Sequence, residues 1–360
     1  MSTVIGAAAQ SRLQTPLRRL SAAQVLTLGV VLVVASLLIA SARGAYQIEV
    51  SGILRALWAG LSGSQDRTSE QLIFLNIRLP RLLLGLAAGA ALGMSGALMQ
   101  GMFRNPLADP GLIGVSSGAA LAAGITIVMG ALWFPDLPRS LGSWTLVLMA
   151  FIGGLTVTAV IYMLSQSEGG TRVGLMLLAG IAINALAGAG LGLLNFMATD
   201  EQLRNLQFWL LGSLGGARWS AVALVGGIVL VSTCLGMALA RPLNAIALGE
   251  AQAALLGVNV ERIKRSAVLV AALAVGAVTA TTGIIGFIGL IAPHCVRLIA
   301  GPDHRVVLPG SALLGAALVL LADSLARTVM KPAELPLGVL TAFVGVPFFL
   351  VLLRGFKGRI

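Results

Sequence analysis

Apolar stretches close to the ~20 residues needed to cross a bilayer recur along the whole of this chain. Breaking it at polar clusters gives ten such runs, near 25–42, 79–99, 112–132, 143–164, 174–195, 219–240, 264–282, 284–299, 308–328 and 338–353. Only Thr281, Thr282 and Gly283 separate the seventh from the eighth, so a count of nine stays open. Composition agrees: 58% of the residues are hydrophobic, 10% are charged, and mean hydropathy is +0.97. A soluble chain of 360 residues needs far more charge to cover its surface. The expectation is an all-α polytopic membrane protein with ten transmembrane helices. Residues 1–24 would be a cytoplasmic tail, 25–354 a single transmembrane domain and 355–360 a second cytoplasmic tail.

The net charge of +11 does not point to nucleic acid, because the basic residues lie between apolar runs instead of forming one patch. Cys234 and Cys295 each sit inside an apolar stretch, with no CxxC or Cys/His cluster, which argues against a structural disulfide or a metal site. Arg12, Arg18 and Arg19 precede the first run as in a signal peptide. No small-residue cleavage site follows, so a retained first helix is predicted. The positive-inside rule puts both termini in the cytoplasm, yet leaves many arginines facing outward, Arg78, Arg81 and Arg327 among them.

Gly85, Gly89 and Gly93 repeat at i, i+4, i+8, and Gly283, Gly286 and Gly289 every three residues. Close helix packing against lipid-free surfaces is the favoured reading of both series. A P-loop would need G-x-x-x-x-G-K-[ST], and none of Lys264, Lys331 and Lys357 stands in that setting. Mid-run ionisable residues, which ion-coupled carriers use, are also missing. Energy must therefore come from elsewhere. The longest inside loop, about 241–263, reads as two short helices divided by Gly249 and ended at Gly257. Their small apolar faces suit a groove on another protein, the alternative being a helix lying on the membrane surface.

The strings Arg78-Leu79-Pro80-Arg81, Gly96-Ala97-Leu98-Met99-Gln100-Gly101 and Asn105-Pro106-Leu107-Ala108-Asp109-Pro110-Gly111 resemble the iron-chelate and cobalamin permeases of ABC importers. So do Leu248-Gly249-Glu250, Leu256-Gly257-Val258, Gly286-Phe287-Ile288-Gly289-Leu290, Pro293-His294, Asp303-His304-Arg305 and Glu334-Leu335-Pro336-Leu337-Gly338. These matches run in family order from about residue 75 to the C-terminus. The resemblance implies the type II importer permease fold in the bacterial inner membrane. It further implies a homodimer in lipid, with two ATPase subunits below and a periplasmic binding protein above. Cofactors would be absent from this chain, with ATP and Mg held by the ATPase.

In that family, arginines matching Arg78, Arg81 and Arg327 meet acidic residues of the binding protein, a task suited to bidentate guanidinium forks. Helix anchoring by Arg78 and Arg81, and pairing of Arg327 with Asp323 at i, i+4, are the alternatives. ATPase coupling would fall to Leu248, Gly249, Glu250, Ala254, Leu256, Gly257 and Val258. Asn184 and Asn195 are path candidates, since a buried amide needs partners that a wet passage supplies. Ser167 and Thr171 correspond loosely to a cytoplasmic gate. His294 and His304 belong to general family stretches, and ligation of iron by either is the lesser reading. The segment from Asp200 to Trp219 is most similar to haemin permeases, which makes haem the first expectation, a ferric siderophore the second and cobalamin the third. A stand-alone secondary transporter and a non-transporting membrane anchor are the readings from other classes.

Overall fold

The computed structural model describes residues 19–43, 50–62, 68–133, 142–168, 170–330 and 332–356. Most of both predicted tails, with Arg12, Arg18, Lys331 and Lys357, lies outside them. Fourteen α-helices follow in chain order among the described residues. They are α1 (Ala22–Ala42), α2 (Val50–Leu61), α3 (Ser69–Phe103), α4 (Val115–Trp133), α5 (Trp144–Leu164), α6 (Val173–Met197) and α7 (Asp200–Leu211). Then come α8 (Trp219–Ala238), α9 (Ala240–Ala247), α10 (Glu250–Leu255), α11 (Val260–Thr282), α12 (Ile288–Ala300), α13 (His304–Ala326) and α14 (Leu337–Phe356). A two-residue hairpin, β1 (Gln166–Ser167) with β2 (Gly170–Thr171), joins α5 to α6.

Seven of these helices (α1, α3, α5, α6, α8, α11 and α13) are long and apolar enough to cross a membrane. The apolar parts of α4, α12 and α14 are shorter and fall at the remaining three expected runs. Helices α3, α11 and α13 are buried on most sides, whereas α1, α5, α6 and α8 expose most of their surface, as helices facing lipid or another subunit do. The three buried helices and α12 form the centre of the bundle, with α1 on α13, α8 on α3 and α11, α4 and α5 flanking α11, and α6 packed on α4 and α5.

Small residues make that centre possible. A Cβ on Gly89 would collide with the backbone of Gly315 in α13, one on Gly93 with the Ser311 carbonyl, and one on Gly96 with Gly289 in α12. The i, i+4 face predicted from sequence is therefore a contact face in which backbones touch directly. Gly85, the third member, meets the side chains of Leu214 and Leu320 instead.

The structure corrects several boundaries. Helix α3 begins at Ser69, not 79, and passes through a π-helical turn at Phe74–Arg78. Pro80 follows at once and has no N–H to return to the preceding turn, so a widened ladder loses nothing there. Segments 50–61 and 200–211, left between runs in the sequence reading, are helices. One face of α2 seats Ile53 and Ala56 on Phe74 and Leu75, an amphipathic pattern too short to read as a span. The eighth run starts at Ile288, because Gly283 (φ 72°) ends α11 and 283–287 are non-helical. Gly283 and Gly286 thus lie outside α12, the helix that carries Gly289.

Gly89→Ala is expected to lower the thermal midpoint of the purified protein, since overpacking a tight contact costs about 1–3 kcal/mol. Gly226→Ala on α8, where a Cβ meets nothing within 4 Å, should leave it unchanged or raised. Equal midpoints in a detergent melting series would show that the seam is loose.

Candidate functional site

Three groups of the predicted residues sit at distinct places. At the end of the bundle where α3 and α13 meet the segment leading into α14, an ion cluster gathers Arg81, Asp323, Arg327 and Glu334. Arg81 holds Asp323 through Nε and Nη2 (3.0 and 2.9 Å) and Glu334 through Nη1 and Nη2 (3.0 and 2.8 Å). Arg327 Nε lies 3.0 Å from Asp323 Oδ2, the i, i+4 pairing weighed in the sequence, and its Nη2 donates to the Ala40 carbonyl at 3.2 Å. Arg78 is buried and donates to the Ser41 carbonyl at 2.5 Å. The predicted docking arginines are therefore together, but folded inward. Arg78 and Arg327 clamp the last turn of α1, and the Arg81 fork is already occupied by carboxylates of its own chain. Asp323 is 2% exposed and serves two arginines, so it is the pivot of the cluster.

At the opposite end, Gly249 (φ 128°) divides α9 from α10 and Gly257 (φ 80°) ends the second helix, as the glycine spacing predicts. A side chain at Gly249 would be strained at that φ and would also strike Gln252. α9 is anchored by Leu243 and Ile246, α10 by Ala253 alone. Leu248, Leu255 and Leu256 are left exposed, Leu255 at 89%. Lys264, the fifth residue of α11, is buried at 3% exposure and contacts Glu250 Oε2 at 2.7 Å. Asn244 on α9 donates to Asp303 at 2.6 Å and accepts from the His304 amide at 2.9 Å. That bond and the Arg305 amide, the larger influence, hold the Asp303 carboxyl below its ordinary range. His304 is the buried first residue of α13, with Nδ1 2.8 Å from Asn244 Oδ1. His294 stacks edge-on against Phe348, 6.2 Å between centroids. Among the described residues no three His, Cys, Asp or Glu side chains gather as a metal site would.

The hairpin between α5 and α6 carries Ser167 and Thr171. Thr171 is buried: its amide donates to Glu261 Oε2 at 2.8 Å, its hydroxyl donates to Oε1, and its carbonyl accepts from Lys264 Nζ at 2.9 Å. Tyr162 adds a hydroxyl to Glu261 at 2.8 Å. Gly170 (φ 101°) closes the turn against the same carboxylate. Ser167 is half-buried at the hairpin tip, paired with Gly170.

Asn184 has partners within the chain. Its Oδ1 accepts from Ser117 at 2.5 Å and its Nδ2 donates to the Gly111 carbonyl at 3.2 Å, tying α6 to α4 and the turn before it. Asn195 Oδ1 is buried with no hydrogen-bond partner among the described residues. Sequence reasoning missed Glu261, Tyr162, Lys264 and Asn244 as organising residues. The signals were present: Glu261 and Lys264 stand at i, i+3 at the start of an apolar helix.

A multipass bundle with a short double helix at one end and an arginine cluster at the other defines a membrane permease. The chain belongs to the FecCD transport family, which it matches over residues 30–355. It is 47% identical over 281 residues to the "Hemin transport system permease protein HmuU" of Yersinia pestis, covering 78% of this chain and 83% of that one. A "Cobalamin import system permease protein BtuC" of Halobacterium salinarum is 42% identical, covering 79% and 74%. A solved inward-facing ABC transporter assigned to the metal-chelate type superposes with a TM-score of 0.79 at 30% identity, covering 92% of this chain and 99% of that chain. The PsaBC structure from Streptococcus pneumoniae, at 14% identity and a TM-score of 0.51, shares the fold alone. The chain is thus the permease subunit of an ABC importer, and ATP hydrolysis belongs to a separate subunit.

Removing the pivot charge should matter far more than removing its exposed partner. Asp323→Asn leaves the buried Arg327 without its carboxylate and the part-buried Arg81 with Glu334 alone, and is expected to cost about 3–5 kcal/mol. Glu334→Gln, at a half-exposed carboxylate, should cost no more than about 1 kcal/mol. Thermal midpoints in one detergent compare them, and a Glu334 variant as damaged as the Asp323 variant would contradict this ranking.

Proposed function

We propose that this chain moves haem from a periplasmic binding protein across the bacterial inner membrane, as a homodimer driven by two ATPase subunits. The observation that carries the cargo is the 47% identity to a hemin permease, which exceeds that to the cobalamin permeases. The local likeness of Asp200–Trp219, the segment that forms α7 and the turn leading into α8, supports it. A ferric siderophore is the second reading and cobalamin the third, the 42% identical cobalamin permease supporting the latter.

In this reading both termini are cytoplasmic, and α9–α10 faces the ATPase. Leu248, Leu255 and Leu256 would fill its groove, with Gly249, Glu250, Ala254, Gly257 and Val258 setting the shape of the double helix. Arg78, Arg81 and Arg327 would receive the binding protein. Arg81 does so by exchanging the half-exposed Glu334 for an acidic side chain of the partner, because Asp323 is too buried to release. Ser167 and Thr171 would belong to the cytoplasmic gate. Asn195 is the better path residue of the two amides, as its oxygen lacks a partner among the described residues. Asn184 acts as a tether. The chain itself needs no cofactor in this scheme, and ATP with Mg is held by the ATPase.

Proteoliposomes carrying this chain, its ATPase and its binding protein should accumulate haem only with ATP. Leu255→Glu plus Leu256→Glu should abolish that uptake without changing the melting midpoint, because both side chains are exposed. ATP-driven uptake of a ferric siderophore or cobalamin in place of haem replaces the cargo and keeps the machine. Uptake without any ATPase overturns the reading.

A further inference from the structure

Lys264 is a charged group in the interior of the bundle's end, and its two bonds lead in opposite directions. One goes to Glu250, the first residue of α10 directly after the Gly249 break, with a side chain 39% exposed. The other goes to the carbonyl of Thr171, two residues before α6 begins. Thr171 is then fixed from the other side, since its amide and hydroxyl both donate to Glu261, one turn earlier on α11. The peptide units on either side of one residue are thus held by opposite charges from a single helix.

We propose that Lys264 is a positioning residue that transmits displacement of α10 to the hairpin and so to the start of α6. This rests on the reading of α10 as the ATPase-facing element. The physical reason is the cost of a buried cation that loses its anion. Lys264 has three donors, and among the described residues it bonds Glu250 and the neutral Thr171 carbonyl. When α10 shifts and takes Glu250 with it, the buried ammonium loses its directly bonded anion and keeps only the nearby Glu261 carboxylate, which is already shared with Thr171 and Tyr162, a costly state. Either the ammonium follows Glu250 and releases the Thr171 carbonyl, or the hairpin moves with both. In each case the grip on Thr171 changes, because Lys264 of α11 bonds both Glu250 of α10 and the Thr171 carbonyl. The connection α10–α11 through Leu256–Asn259 carries the pull along the chain; the ion pair adds a sideways link to a different helix.

Two measurements test this. The first needs no partner: hydrogen–deuterium exchange of residues 166–172 in the full chain, reconstituted in lipid nanodiscs. Glu250→Gln, which is outside the hairpin, should speed exchange there by about threefold, the scale of a half-exposed ion pair. Lys264→Met should speed it at least as much, and Lys264→Arg should stay near wild type. Unchanged hairpin exchange in Glu250→Gln would overturn the relay, whatever Lys264→Met does.

The second uses the assembled transporter in liposomes. Lys264→Met should hydrolyse ATP at close to the wild-type rate while uptake falls by about tenfold, with Lys264→Arg restoring uptake. Hydrolysis and uptake falling together, or neither falling, would overturn the proposal. A wild-type assembly that shows no ATP-driven uptake speaks against the transport reading instead, and the exchange experiment still decides the relay.

Discussion

Backbone-to-backbone contact between α3 and its neighbours is the constraint from which the rest of this bundle follows. Inside a bilayer, apolar side chains gain little by leaving lipid for protein, so helix association relies on close van der Waals packing and polar bonds. Gly89, Gly93 and Gly96 remove the side chains that would hold α3 away from Gly315, Ser311 and Gly289. With that distance fixed, α13 and α12 become walls of one unit, and α11 closes it through Ala271, Ala274 and Val275. Helices α4–α6 then attach to this unit mainly through α11. A stiff centre with a separately hung group of helices suits a machine that must open a passage without losing its core.

The charged residues obey the same geometry. Each cluster stands at an end of the bundle and ties helix termini rather than helix middles. Asp323 binds α3 and α13 together through Arg81 and Arg327, and Arg327 reaches on to the end of α1. At the other end, Glu261 and Lys264 seize the hairpin, while Asn244 and Asp303 fasten α9 to α13. Buried ion pairs add little net stability, but they specify arrangement strongly when one partner cannot leave without exposing the other. The difference between the ends is informative. Asp323 is enclosed, whereas Glu250 and Glu334 are half-exposed and can be exchanged.

Much of this was legible in the sequence because the bilayer imposes simple rules. Apolar run length located ten helices, and the i, i+4 glycines named the face of α3 on which α13 lies. Gly249 and Gly257 gave the double helix because each marks a positive φ that other residues avoid. What stayed hidden were features without periodicity. Helices α2 and α7 are too short and too polar on one side to resemble spans, and the break at 283–287 interrupts an apolar run without changing its composition. The partners of the site residues stayed hidden for a related reason. Arg81 and Asn184 were read by residue type as groups awaiting an external partner, but Glu334 and Ser117, distant in sequence, already occupy them. Conversely, Lys264 looked like one more cytoplasmic cation, since nothing along the chain reveals that Thr171 folds over it.

The central claim is that ATP turnover moves the hairpin and α6 relative to a rigid α3–α12–α13 unit. Spin labels at the exposed positions Gln166 and Leu298, in a labelled chain diluted with unlabelled partner, read this distance in the assembled transporter. A second pair at Leu298 and Leu325 reports on the core itself. The account predicts that the first distance changes between the nucleotide-free and ATP-bound states while the second stays fixed. A first distance that ignores nucleotide, or a core distance that changes along with it, would contradict the division into a stiff centre and a moving gate.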